Sequence, residues 1–314
     1  MRNIVIALGG NALQEAGKPA TAQNQLEVVN QTCAYIADII KSGYHVTLAH
    51  GNGPQVGRII SQQNYAVPVS PAMPFDVCSA MSQGMIGYHL QQGMRRALRA
   101  RGMDTPVTTI VTQVVVDGND PGFQNPTKPI GAFYTPEEVA ALKQVNPHHV
   151  FKEDTARGGW RRVVASPEPL EIVELEAIKR LAKENILTIT VGGGGIPVVR
   201  EADGNIHGVA AVIDKDFASE KLAEELDADA LVILTAVEKI SINYKKPDQR
   251  DLDTLTVAQA EDYIAQGQFP AGSMLPKVQA ALRFVKSKPG RVAVVTSLDK
   301  AVEALAGKAG TILQ

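Results

Sequence analysis

Residues 187–199 read LTITVGGGGIPVV. An apolar, β-branched run enters four consecutive glycines, and a second apolar run carrying a proline follows. Each glycine gives up more backbone freedom on folding than any other residue, so four in a row imply that something approaches the chain closely at Gly192, Gly193, Gly194 and Gly195. The same grammar occurs twice earlier. NIVIAL (3–8) runs into Gly9-Gly10-Asn11, and HVTLA (45–49) runs through His50 into Gly51-Asn52-Gly53. Continuous apolar runs of this length read as strands buried on both faces, the pattern of a parallel sheet covered by helices.

Working outward, the segments between these strands read as helices. Over Gln23–Ser42, the positions Leu26, Val29, Cys33, Ile36 and Ile40 recur at three- and four-residue spacing, and Gly43 supplies a stop. Residues 77–100 read as another helix and PVTTIVTQVVV (106–116) as one further strand. DALVILTAV (229–237), RVAVVT (291–296) and TIL (311–313) are the later strands. Strands alternating with helices of this length imply βαβ units, hence an α/β fold with a mainly parallel sheet. The texture changes over about 117–166. DGNDPGFQNPTKPIG is rich in turn formers, TPEEVAAL starts a short helix with Thr135 as cap and Glu138 closing a capping box, and RRVVASPEP reads as a strand. This stretch is expected to form a small protruding subdomain.

Composition narrows the class. The chain has 314 residues, 45% hydrophobic but only 5% aromatic, so aliphatic side chains must fill its core. A formal net charge of -2 gives no sign of a nucleic-acid partner. No apolar stretch approaches the roughly 18 residues of a membrane span, and Ile4–Leu8 reads as a strand rather than part of a leader. The two cysteines, Cys33 and Cys78, lie in apolar-periodic segments without metal-ligand spacing, which suits a reduced, cytoplasmic protein.

In a doubly wound sheet, glycine turns after strands gather at the carboxyl edge, where ligands bind. Taken singly, each is equally a tight turn. Together they point to an anion held by backbone N–H groups. GNGPQVG is not a dinucleotide fingerprint, because Val56 stands where the third glycine belongs and Gly57 comes one residue late. No P-loop is present: the Gly-Lys pairs at 17–18 and 307–308 continue with Pro19 and Ala309. Cations are available instead. Lys215 lies in IDKDF between Asp214 and Asp216, at the end of an apolar run and the start of a helix. Lys277 follows Pro276 in a helical first turn, an unfavourable place for a cation unless an anion shares it. Lys128, bracketed by prolines in NPTKPIG, reads by itself as a solvated loop lysine that could serve a lid. His50 reads as structural, and no protein-held metal site or nucleophilic triad is evident. Glycine N–H donors and lysines without a nucleophile suit phosphoryl transfer between two bound substrates.

ALGGNAL, HGNGPQVG, MSQGMIGY, NPTKPIG, VGGGGIPVV, AVIDKDFASEKLAE, LTAVEK and GSMLPKV, in this order across nearly the whole chain, resemble the motif blocks of the carbamate kinases within the amino-acid-kinase superfamily. The resemblance implies a three-layer α/β/α sandwich around a mainly parallel open sheet. It implies an N-terminal lobe (1–205) for carbamate or carbamoyl phosphate and dimerisation, with the subdomain at about 117–166, and a C-terminal nucleotide lobe (206–314). It implies a homodimer, ATP and ADP as substrates, and Mg²⁺ held mainly by nucleotide phosphates. By the same resemblance, Gly9, Gly10 and Asn11 would hold the transferring phosphoryl group and Gly51, Asn52 and Gly53 the carbamate side. Lys215 and Lys277 would contact phosphates, Asp216 would orient them, and Lys128 would reach in from the subdomain. Asp214, Ala236, Val237, Tyr244, Met274 and Pro276 would serve the nucleotide, and Gly192–Gly195 would bring backbone against the transfer site. The chain departs from the family pattern at EDTARGGWRR (153–162), about one residue longer than usual, and at Lys245, where glycine is common. Two other readings are a sister kinase for another small acid or a nucleoside monophosphate, and a nucleotide sensor without turnover.

Overall fold

The strand Arg2–Leu8 (β1) carries the fold's two cores on its two faces. Ile4, Ile6 and Leu8 join one buried cluster, and Val5 and Ala7 join the other. This is the period-two alternation of a strand with no solvent face. The structure, a computed structural model, describes residues 2–15, 17–154 and 158–314. Seven further strands complete the main sheet: Tyr44–His50 (β2), Val107–Thr109 (β3), Leu187–Thr190 (β4), Ala230–Thr235 (β5), Thr254–Leu255 (β6), Val292–Ser297 (β7) and Thr311–Leu313 (β8). Their order is β6-β8-β7-β5-β1-β2-β4-β3. Every neighbouring pair is parallel except β7 with β8. One sheet therefore runs without interruption from the N-terminal half, through β1, into β5.

Helices cover both faces. Ala22–Lys41 (α1) starts at Thr21, whose hydroxyl accepts from the Asn24 amide, and ends just before Gly43, whose φ is +95°. After β2 comes Gly53–Ala66 (α2), and then Phe75–Arg99 (α3), which packs beside α1 over the Ile4/Ile6/Leu8 face. Lys215–Glu225 (α4) and Met274–Ser287 (α5) lie over the other face, contributing Ala218, Leu222, Val278 and Phe284 to its core. The result is three layers, as expected. Both cysteines are free and buried.

The single strand expected over 106–116 is two. β3 stays in the main sheet, and Gln113–Val115 joins a second, four-stranded sheet with Ile196–Arg200, Ile206–Gly208 and Glu171–Ile172. The neighbouring chain divides the same way, β4 leaving the main sheet through the four glycines to become Ile196–Arg200. The cause is Gln83 of α3, whose amide fills the fork. It donates to the carbonyls of Thr112 (3.0 Å) and Gly192 (2.8 Å), and its own carbonyl accepts from the Thr112 amide (2.8 Å). A buried side chain thus replaces the sheet ladder where two strands part.

The insertion forms a three-stranded antiparallel sheet with Trp160–Val164 between Lys128–Tyr134 and Val150–Glu153. A helix, Pro136–Val145, carries the expected Thr135/Glu138 capping box. Within the longer loop at 153–162, residues 155–157 lie outside the described residues. The inserted sheet meets α2 where a methyl group at Gly57 would fall 2.2 Å from the Gly131 Cα. Only glycine fits there.

Candidate active site

Leu8 pairs with His50, and Ala7 with Ile233, so β1, β2 and β5 end at the same level. β1 is flanked on one side by the strand that follows it and on the other by one from the second half of the chain. A crevice opens at such a point in a doubly wound sheet, and a cavity of about 550 Å³ occupies it.

The cavity brings together most of the residues singled out above. Gly9, Gly10, Gly51, Asn52, Gly53 and Gly193 line the sheet edge. Lys128, Asp214, Lys215, Asp216 and Lys277 supply charges, and Ala236, Val237, Tyr244, Met274 and Pro276 are also part of its lining. Gly10–Ala12 forms a single 3-10 turn, and of Asn11 only the backbone in that turn is described. Gly192, Gly194 and Gly195 do not line the cavity. They differ from the expectation because protein, not ligand, fills the space beside them. Methyl groups there would lie 2.6 Å from His50 Nε2, 2.3 Å from the Ile213 carbonyl oxygen and 2.2 Å from Val114 Cγ2.

The charges are tied by carboxylates. Asp216 accepts from Lys215 Nζ at 2.5 Å and from Lys277 Nζ at 2.8 Å, all three side chains being largely buried. Burial pushes the Asp216 carboxyl upward, but the two ammonium groups outweigh it and hold the group below the usual carboxylate range. Burial and the neighbouring Lys277 lower Lys215 from its ordinary value, against the pull of Asp216. Asp214 accepts from Lys128 Nζ at 2.5 Å with one oxygen and from the Asp216 amide at 2.8 Å with the other, which caps α4. Lys215 is therefore the first residue of α4, beside the positive end of its dipole, and Lys277 is the fourth of α5. The α5 helix begins at Met274, two residues before the start expected at Pro276. Two cations beside helix N-termini and aligned N–H groups make a site for phosphate oxygens.

Asn52 sits at the junction of β2 and α2. Its amide donates to Ser82 Oγ at 2.7 Å, and a methyl group at Gly193 would fall 2.2 Å from the Asn52 amide nitrogen. His50 is buried beneath, with Nδ1 2.9 Å from the Gly51 carbonyl, which makes Nδ1 the donor. Burial lowers its pKa to about 4. Lys245, beyond the cavity, has φ +62° and its ammonium 5.5 Å from the centre of the Tyr244 ring. The left-handed backbone explains why glycine suits this position.

Sequence reasoning missed several lining residues. Gln55 and Pro54 lie within the quoted GNGPQVG stretch, and Lys239 within LTAVEK, where it pairs with Asp253 at 2.5 Å. Gly272 and Ser273 open the quoted GSMLPKV block, and Ser241 carries no signal of its own. Among the described residues, no three His, Cys, Asp or Glu side chains form a metal-binding group, and no helix is long and apolar enough to cross a membrane.

Residues 2–296 match the model of the amino acid kinase family. The chain is similar to a carbamate kinase of Clostridium perfringens, 53% identical over 98% of each chain. It is similar also to the carbamate kinase-like protein YqeA of Escherichia coli, 50% identical over 99% of each. The structure resembles that of a Giardia lamblia carbamate kinase bound to AMP-PNP, with a TM-score of 0.91 and 47% identity over 99% of this chain and 98% of that one.

Proposed function

The chain belongs to the amino acid kinase family, on its carbamate kinase branch, and from that premise we propose that it moves a phosphoryl group reversibly between ADP/ATP and carbamate/carbamoyl phosphate. The observation that carries this reading is the meeting, in one cavity, of the turns Gly9-Gly10 and Gly51–Gly53 with Lys215 and Lys277 on a shared Asp216. Transfer is direct and in line. Carbamate is already an anion and needs no general base, and the transition state spreads charge over three equatorial oxygens. Backbone N–H groups and the two ammonium groups meet that charge as it shifts from one bridging oxygen to the other. The nucleotide lies toward Ala236, Val237, Tyr244, Met274 and Pro276, and the carbamate toward Asn52 and Lys128. This assigns carbamate to the lobe 1–205 and the nucleotide to 206–314.

Mg²⁺ enters as part of the nucleotide substrate. Asp214 and Asp216 are already paired with lysines, a donor set that fits a metal carried on phosphates better than one held by the protein. A second copy of the chain is part of the same proposal. It is supported by exposed apolar side chains at and just beyond the end of α2, with Tyr65 and Val69 each 89% exposed. Sedimentation as a monomer at micromolar concentration would remove it.

Purified protein given carbamoyl phosphate, ADP and Mg²⁺ is expected to form ATP. Lys215→Ala is expected to lower turnover about 10²- to 10³-fold, the cost of removing one preorganised stabilising group, while folding normally. Absence of ATP, with turnover on another small acid or a nucleoside monophosphate, favours the sister-kinase reading. Tight ATP binding without turnover on any acceptor favours the sensor.

A further inference from the structure

Lys128 reaches the cavity from a separate small sheet, and its position depends on what holds that sheet. Ile130, two residues along the same strand, is buried with Val164 and Val212. Gly131 lies against Gly57 of α2. These contacts fix the backbone, but the four-carbon lysine stem beyond it has many rotamers. Among the described residues, the group that holds the ammonium is Asp214 Oδ2, at 2.5 Å. The same carboxylate is committed through Oδ1 to the first turn of α4, the turn that also presents Lys215. One side chain therefore ties the inserted sheet to the helix that begins with Lys215.

We propose that Asp214 is a positioning residue for the phosphoryl-transfer reaction: it aims Lys128 into the cavity before substrate arrives and yields the ammonium to the phosphoryl oxygens when they enter. This rests on the reaction proposed above. The charge balance favours such an exchange. Lys128, Lys215 and Lys277 face Asp214 and Asp216, a surplus of one positive charge. A dianionic phosphoryl group draws Lys128 more strongly than one carboxylate can hold it. Asp214, only 9% exposed, stays in place because the helix end still donates to it. The carboxylate costs some ground-state affinity for an anion and contributes the lysine's aim.

Asp214→Asn separates the two roles, because asparagine keeps the capping oxygen and removes the charge. Its melting temperature is expected to match wild type. Turnover should fall about tenfold, and KM for carbamoyl phosphate should fall several-fold, since a negative charge has left an anion site. In the Lys128→Met background the same substitution should cause no further loss of turnover, because its effect acts through Lys128. A KM that rises, an unchanged turnover, or losses that multiply in the double variant would overturn the proposal. Acylation of the Lys128 amine by an amine-reactive reagent, read by peptide mass spectrometry, supplies a readout independent of turnover. Faster modification is expected in Asp214→Asn, where the ammonium has lost its partner. Wild-type protein that makes no ATP from carbamoyl phosphate removes the proposed reaction, and the labelling rate then decides the tie by itself: an unchanged rate in Asp214→Asn refutes it.

Discussion

The glycines at 9–10 and 51–53 and those at 192–195 occupy equivalent places at strand ends, yet they exclude side chains for different reasons. Methyl groups at Gly10 and Gly53 would meet nothing within 4 Å, and one at Gly51 would meet chiefly the flexible stem of Lys215, at 3.1 Å; Gly9 is the exception, its methyl falling 2.8 Å from the Leu234 carbonyl oxygen. Beside Gly192–Gly195 every such methyl would strike protein at 2.2–2.6 Å, and three of the four have positive φ. Gly10, Gly51 and Gly53 leave room for a ligand. The second group lets β2, α3, α4 and the second sheet close upon the turn. Val191, a β-branched residue at φ +42°, belongs to this second group. It is held there by the Thr112 hydroxyl, which accepts its amide hydrogen at 3.1 Å. Such a conformation costs roughly 1–3 kcal/mol and persists only where the surroundings impose it.

The sharpest way to break this contrast is Gly194→Ala. A side chain at φ +92°, pressed on the Ile213 carbonyl, is expected to destabilise the fold by on the order of 3 kcal/mol or more. Urea unfolding would register it, and wild-type stability would mean that the turn can relax. Gly10→Ala is expected to behave oppositely. Its stability should stay within about 0.5 kcal/mol of wild type, while turnover drops about tenfold or more as the methyl enters the phosphate's space. A stable, fully active Gly10→Ala enzyme would move the phosphoryl group away from that turn.

A pH series probes the packed side through His50. Its pKa is about 4 in the folded protein against 6.5 as the ordinary value, so below pH 6.5 the unfolded chain takes up a proton that the native chain refuses. The stability this residue contributes is complete above pH 6.5 and is lost as pH falls through 4. The difference in unfolding free energy between wild type and His50→Gln should therefore shift toward the variant on acidification. A flat difference would mean an accessible imidazole. The smallest effect is expected at Lys245, where φ is positive but no neighbour is crowded. Lys245→Gly should stabilise by about 0.5–1 kcal/mol in thermal melts, and a loss would show that the Lys245–Tyr244 contact outweighs backbone strain.

Much of the architecture was legible because strands buried on both faces must be written as continuous apolar runs, and because helix starts are local chemistry. Thr135 with Glu138, and Asp214 ahead of Lys215, announce their helices within four residues. Lys215 and Lys277 were legible for the same reason, since a lysine in a helical first turn needs an anion nearby. Lys128 was not, because its partner Asp214 lies 86 residues away. The split at 106–116 was hidden in Gln83, a side chain of another helix. The positions proposed for the nucleotide, Ala236, Val237, Tyr244, Met274 and Pro276, form no local pattern that points to a ligand and came from family resemblance.

By itself, the sequence determined the alternation of strands and helices, the edge at which the glycine turns collect and the cations close to helix ends, because each depends on neighbours a few residues apart. Only the tertiary structure decided which glycines face open space and which face protein, where two strands leave the main sheet, and which carboxylate holds which lysine. Those outcomes depend on distances between segments that meet only after the chain has folded.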